Sequence, residues 1–271
     1  MNERFSRTRL LLGDAAIERL ARSRAVVAGL GAVGSYAAEA LARAGVGALR
    51  IVDFDVVRPS NVNRQLYALG STFGRWKAEV AAERIGDIHP RCHVEALRLF
   101  IDGHNADSLF EDRPGVAVDA IDSLNPKVAL IAAARRHGVA VVSAMGAATR
   151  TDPLAIRVAD LAQTEGCPLA RLVRKRLRRE GVTSGVRCVF SIEPARRGPA
   201  APADPPSDDV AARPGRPRRA LGSLPTVTGM FGLVAATEAL RLLLGDLWPP
   251  PVPGSTSSRG GATVRQERTG A

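Results

Sequence analysis

RAVVAGLGAVGSYAAEALARAGVGALRIVDFD, residues 24–55, is the stretch that decides the fold. Residues 24–29 form an apolar run of strand length. Residues 34–44 carry apolar side chains at helical spacing, and residues 48–53 form a second apolar run. Two strands around a helix make a βαβ unit, with a right-handed crossover. The turn between the first strand and the helix reads Gly29-Leu30-Gly31-Ala32-Val33-Gly34, a GxGxxG pattern. Glycines there let a phosphate approach the backbone, and the helix start offers unpaired N–H groups and the positive end of its dipole. Alone, the pattern fits a tight βα turn as well as a nucleotide site.

The alternation continues outward. A helix is expected at 14–22, with Asp14 as its N-cap. Further on, a helix at 76–87 precedes a strand at 92–98. Strands at 115–120 and 139–144 flank a helix at 126–137, and their unbroken apolar character suits buried parallel strands. The fold class is therefore α/β, with a doubly wound, mostly parallel, Rossmann-like sheet. Beyond Thr151 the reading is a strand at 154–158, a basic helix at 168–180, a strand at 186–191 and a helix at 226–244. Residues 193–220 are rich in Pro, Ala and Arg and lack large apolar side chains. They are expected to be a disordered insert, and 249–271 a disordered tail. One domain, 1–192 with 221–248, remains.

The net charge is +11, from 38 basic and 27 acidic residues, and all the basic residues except Lys77, Lys127 and Lys175 are arginines. An Arg- and Ala-rich composition accounts for part of this, and a polyanionic partner for the rest. The run RLVRKRLRR at 171–179 is a candidate RNA-backbone patch, with Arg174, Lys175 and Arg178 as contacts. The three cysteines, Cys92, Cys167 and Cys188, form no CxxC pair, which argues against a disulfide scaffold and a four-cysteine zinc site. The first residues contain no apolar signal core. Glu238, Arg241 and several Gly and Pro residues interrupt 221–248, which reads as too polar to span a bilayer. The expectation is a cytoplasmic protein with no membrane role.

Asp53 ends the second strand, where a carboxylate can accept hydrogen bonds from ribose hydroxyls. To this point an NAD-dependent oxidoreductase fits equally well. The residues that follow favour phosphate chemistry. Ser60, Asn61, Arg64 and then Lys77 place polar and cationic groups beyond the second strand. A lysine kept in an Arg-dominated chain suggests a need for a compact point charge. Asp122 and Ser123 follow the fourth strand, where ligands of such sheets sit, and a carboxylate facing a triphosphate suits Mg²⁺. The alternative for Asp122 is an N-cap. No GxxxxGK[ST] loop is present, so this is no P-loop ATPase.

GLGAVGSYAAEALARAGVG, DFD, SNVNRQ, Lys77 and DAIDS together resemble the adenylating domain of ubiquitin-activating-type enzymes, which join AMP to a carboxylate. The resemblance implies ATP and Mg²⁺ as cofactors. It implies a nucleotide site of Gly29, Gly31, Ala32, Gly34, Asp53, Asp55, Ser60, Asn61, Arg64, Lys77, Asp122 and Ser123. Within that set it gives Asp53 to the ribose, Arg64 and Lys77 to the phosphates and Asp122 to the metal. It also implies an N-terminal arginine, Arg7 or Arg9, that serves a partner subunit's nucleotide, and hence a homodimer. The family often has Gly where this chain has Ala32.

RFSRTRLLLG, DSLNPKVALI and VRCVFS are similar to the branch that dehydrates threonylcarbamoyladenosine in tRNA, which implies modified tRNA as substrate. The other branch to weigh activates the C-terminus of a small sulfur-carrier protein. That branch commonly carries two CxxC pairs that are missing here. A non-catalytic nucleotide-binding regulator is a third reading, opposed by the presence of Arg64, Lys77 and Asp122 together. A sulfur-transfer protein partner stays open. Cys188, in the apolar run VRCVF, is read mainly as a packing residue rather than a nucleophile.

Overall fold

Apolar runs separated by helical spacing assemble into a seven-stranded sheet in the computed structural model, which describes residues 3–196 and 221–249. In chain order the elements are α1 (Ser6–Leu12), α2 (Asp14–Arg22), β1 (Arg24–Ala28), α3 (Gly34–Ala44), β2 (Ala48–Val52), α4 (Lys77–Ile88), β3 (His93–Leu97), β4 (Val116–Asp119), α5 (Leu124–Arg136), β5 (Ala140–Ala144), β6 (Ile156–Asp160), α6 (Pro168–Arg179), β7 (Val186–Ser191) and α7 (Pro225–Leu244). The sheet order is β3-β2-β1-β4-β5-β7-β6. Every pairing is parallel except β6 with β7, so the sheet is doubly wound with one antiparallel edge strand.

Alternate residues of the central strands enter two separate cores, which is why these strands read as unbroken apolar runs. Ala25, Val27, Leu49, Ile51, Val116 and Val118 face one core with α3, α4 and α7. Val26, Ala28, Val52, Ala117, Val141 and Cys188 face the other with α5 and α6. The chain order reverses between β1 and β4, the switch point where such sheets bind ligands.

Several expectations need correction. Residues 6–12 form a short helix with no buried side chain, anchored at its start by Phe5. Gly13, not Asp14, holds the N-cap position of α2. The edge strand runs 156–160, two residues later than read, because a 3₁₀ turn occupies Pro153–Ala155. The segment Pro225–Leu247 is long and apolar enough to cross a bilayer by composition, with mean hydropathy 1.5, contrary to the sequence reading. Its position explains its character: α7 packs on α3, and a Cβ at Gly232 would stand 2.3 Å from the Val33 carbonyl oxygen. Residues 193–196 are ordered against the 151–152 backbone through Glu193. Most of the expected insert, 197–220, and the tail from 250 lie outside the described residues.

Candidate functional site

The β1–α3 turn is built first by the chain's own packing. A Cβ at Gly34 would lie 1.7 Å from the Gly29 carbonyl oxygen, and one at Gly29 would lie 2.8 Å from the Ala120 carbonyl oxygen. These two glycines close the turn against itself and against the end of β4. Gly31 differs: nothing but the Gln65 side chain, at 3.8 Å, lies within reach. Its missing side chain leaves space open toward a ligand. Ala32 is half-buried beside it. No side chain caps α3, so the N–H groups of its first turn are not taken by a capping side chain.

Asp53 stands 23 residues beyond Leu30 and is buried. Its Oδ2 accepts from the Leu30 N–H at 2.7 Å and its Oδ1 from the Asp55 N–H at 2.8 Å. The carboxylate that sequence assigned to a ribose therefore also fixes the Gly-rich turn, and each oxygen keeps a further lone pair. Burial pushes the Asp53 carboxyl above its ordinary range, against the pull of Lys77 and the two N–H donors.

Residues 56–76 leave the sheet as a loop closed by a bridge between Val56 and Trp76. Buried Asn61 accepts from the Arg58 N–H at 3.1 Å. Ser35, in the first turn of α3, receives the Leu66 N–H on its hydroxyl, and Tyr67 donates to its carbonyl oxygen. The loop is thereby folded over the Gly-rich turn, with exposed Ser60, buried Asn61 and half-buried Arg64 and Gln65 on it. Gln65 is the residue the site reading missed. It stood within SNVNRQ, but an uncharged side chain carries no signal of its own.

Arg64 uses Nη1 for the Ser60 carbonyl oxygen at 2.9 Å and Asn63 Oδ1 at 2.8 Å. Among the described residues nothing else bonds this guanidinium, so the N–H groups of Nε and Nη2 can serve as a forked donor. Lys77 begins α4 almost fully buried, its N–H donating to the Asp55 carbonyl oxygen and its Nζ 3.2 Å from Asp55 Oδ2. Across the switch point, exposed Asp122 and half-buried Ser123 lie between β4 and α5. Ser123, not Asp122, holds the N-cap position of α5, without a side-chain cap bond.

Beneath that loop is an ionic cluster. Lys127 and Asp119 are fully buried and paired at 2.5 Å. Lys127 Nζ also donates to the Ala144 carbonyl oxygen at 2.9 Å and to Ser143 Oγ at 3.3 Å, while Ser143 donates to Asp119 Oδ2. Asp119 Oδ1 accepts the Ile121 N–H at 3.1 Å, so the cluster grips the residue next to Asp122. Cys188 lies alongside in β7 at zero exposure. Burial pushes its thiol far above the ordinary range, in keeping with a packing residue.

The fold sets the N-terminal arginines apart from the site and ties down one cation of α6. Arg7 is not in the site of its own chain. Phe5 rests on Gly45 and on His89, at the C-terminal ends of α3 and α4, and Arg4 donates to the Asp87 and Ile88 carbonyl oxygens. That end is separated from the Gly-rich turn by the length of α3, about 16 Å at 1.5 Å per residue. Arg9 pairs with Asp14 at 3.0 Å. Arg174 is not a free surface cation either: its Nη1 bonds the Leu161 and Thr164 carbonyl oxygens and Thr164 Oγ1. Arg171, Lys175, Arg176, Arg178 and Arg179 of α6 are exposed. No group of three His, Cys, Asp or Glu side chains suited to a metal occurs among the described residues.

A model of the ThiF family matches residues 5–261. The tRNA threonylcarbamoyladenosine dehydratase of Escherichia coli is 40% identical over 258 residues, covering 89% of this chain and 94% of its own. That of Bacillus subtilis is 42% identical over 193 residues, covering 71% of this chain and 76% of its own. The E. coli enzyme crystallised with AMP superposes with a TM-score of 0.79 at 39% identity, over 90% of this chain and 95% of that one, and it has also been crystallised with ATP. The sulfur carrier protein ThiS adenylyltransferase of B. subtilis aligns over only 143 residues, 51% of this chain.

Proposed function

The chain belongs to the ThiF family, and from that premise we propose that it is an ATP-dependent tRNA threonylcarbamoyladenosine dehydratase. The observation that carries the reading is a set of groups suited to phosphates, gathered at the ligand end of the sheet: open Gly31, the Arg64 guanidinium, Lys77 at the start of α4, and Asp122 beyond β4. The lower identity to the sulfur carrier protein ThiS adenylyltransferase, 34% against 40% and 42% for the two dehydratases, favours this reading over the alternative.

The adenine nucleotide lies over β1 and β2, its ribose on the remaining lone pairs of Asp53 and its phosphates along Gly31, Ala32 and the α3 start. Asn61 and Ser60 line the nucleotide. The threonylcarbamoyl carboxylate attacks the α-phosphorus, the new P–O bond forms, and the bond to pyrophosphate breaks. Arg64 and Lys77 offset the charge that grows on the departing phosphates. Asp122, a hard carboxylate beyond β4, would hold Mg²⁺, which when bound would neutralise part of that charge. A nitrogen within the modification then bonds to the activated carbonyl carbon, the C–O bond to AMP breaks, and the nitrogen proton passes to solvent. The net change is loss of the elements of water from the modification.

We place the RNA backbone on the exposed basic face of α6, whose N-terminal end lies beside Gly146 at the site edge of the sheet. We also propose a homodimer in which Arg7 serves the partner's nucleotide, since it stands far from its own, and a cytoplasmic location, where tRNA is. The test is AMP release with tRNA carrying the modification, with the same tRNA lacking it, and with sulfur-carrier proteins. Release confined to the modified tRNA is expected. Release only with a carrier protein, or equal release with unmodified tRNA, would falsify the assignment.

A further inference from the structure

Arg150 is 2% exposed, yet no ion pair reaches it among the described residues. Its Nε is buried without a hydrogen-bond partner, and its Nη1 has only a 3.4 Å contact with Thr149 Oγ1. The other buried cations are matched, Lys77 with Asp55 and Lys127 with Asp119. Glu193 is held against the residues that follow Arg150, but its oxygens are spent on the Thr151 and Asp152 N–H groups, the Thr151 hydroxyl and Arg196. Leaving a guanidinium buried and unpaired is costly unless an anion completes it.

Its location says which anion. Arg150 follows β5 by six residues, at the end of the sheet that carries the site. Thr149, in the left-handed region at φ 62°, donates its N–H to the Gly222 carbonyl oxygen, and the neighbouring Ser223 carbonyl oxygen accepts from Asn63 of the nucleotide loop. The β5–β6 connection, the lead into α7 and the SNVNRQ loop thus converge. The nucleotide elements belong to β1 and β2, and Asp122 follows β4. In the sheet order β5 lies beyond β4 from β1 and β2, so Arg150 follows the strand next to the one that carries Asp122, on the side away from the nucleotide elements.

We propose that Arg150 binds the carboxylate of the acyl substrate and presents it to the nucleotide, an inference that rests on the dehydratase reading above. A planar guanidinium pairs with a planar carboxylate through two parallel hydrogen bonds. It holds the group in place for attack and, after adenylation, faces the carbonyl oxygen that gains charge as the ring closes.

The test compares the full chain with Arg150→Met and Arg150→Lys, using an anticodon stem-loop RNA with and without the threonylcarbamoyl group. Removing an unpaired buried cation should leave the thermal midpoint of Arg150→Met equal to or above that of the wild type, and protection by ATP-Mg²⁺ unchanged. The KM for the modified stem-loop should rise about 10- to 100-fold, as for a lost charge-assisted hydrogen bond. Arg150→Lys should recover part of it, and affinity for the unmodified stem-loop should not move. A midpoint lowered by several degrees in Arg150→Met would make the residue structural. An unchanged KM would overturn the assignment. Parallel weakening on both RNAs would assign Arg150 to a phosphodiester and overturn it too. Failure of the wild type to release AMP with the modified RNA would reject the dehydratase reading on its own, and this inference with it.

Discussion

Lys127→Met tests whether the cluster beneath the β4–α5 loop holds the site in place. Methionine keeps much of the stem volume and removes the ammonium. Three contacts are lost, to Asp119 Oδ2 at 2.5 Å, the Ala144 carbonyl oxygen at 2.9 Å and Ser143 Oγ at 3.3 Å. Asp119 then keeps only the Ser143 hydroxyl and the Ile121 N–H, at zero exposure. Breaking one side of a buried ion pair costs about 3–5 kcal/mol, against a total stability of roughly 5–15 kcal/mol. Urea unfolding should therefore show a much lower midpoint with an unchanged slope. The double variant Asp119→Leu with Lys127→Met removes both charges and should recover most of the loss, so the cycle should give a coupling of about 2 kcal/mol or more. The functional part is separate. Without the grip on Ile121, Asp122 is no longer held, and at a temperature where both variants are folded the double variant should form AMP slowly despite its recovered stability. A Lys127→Met unfolding free energy within about 0.5 kcal/mol of wild type would refute the energetic argument. Full turnover in the double variant would refute the positioning argument.

Asp122→Ala should remove most AMP formation with no loss of thermal stability, and near-native turnover would sink its metal role. On α6, Arg171, Lys175, Arg176 and Arg178 changed together to Ala should weaken tRNA binding and flatten its salt dependence, read by titration at several salt concentrations, with ATP binding unmoved. Arg174→Ala, by contrast, should lower the thermal midpoint because its three acceptors at Leu161 and Thr164 lose their donor. Glu193 is held at a pKa of about 2 by the Asp152 and Thr151 N–H groups, below its ordinary 4.5. A depressed carboxyl stabilises the fold above pH 4.5 and stops doing so as pH falls through 2. Glu193→Gln should thus flatten the acid limb of stability in that window, and an unaltered acid titration would count against the contact. Mixing inactive Arg7→Ala with inactive Asp122→Ala protein should restore some activity if Arg7 acts across a dimer, and no restoration would speak against it.

Much of the architecture was legible because its signals are local. The Gly-rich turn, the alternation of apolar runs with helical spacing, and the carboxylate at the end of the second strand all lie within 32 consecutive residues. Parallel strands buried on both faces have to be apolar throughout, so their composition announces them. Asp53, Arg64, Lys77 and Asp122 could be named because each follows a strand or opens a helix at the end of the sheet where ligands bind. The double duty of Asp53 could not, since its bond to the Leu30 N–H depends on how two strands pair.

What the sequence by itself determined is the fold class, the switch-point site and the kind of chemistry, because strand and helix periods and turn residues are set by neighbours in the chain. Only the tertiary structure decided which cations are available. Arg174 sits in a run of six basic residues and is spent on a loop ten residues away, while Lys127 and Arg150 are buried and their neighbours in sequence do not say so. A long cationic side chain is solvated, capped or buried according to what packs above it. That is fixed by contacts such as Lys127 with Ser143 and Arg7's remoteness from its own Gly-rich turn, which arise only when distant segments meet.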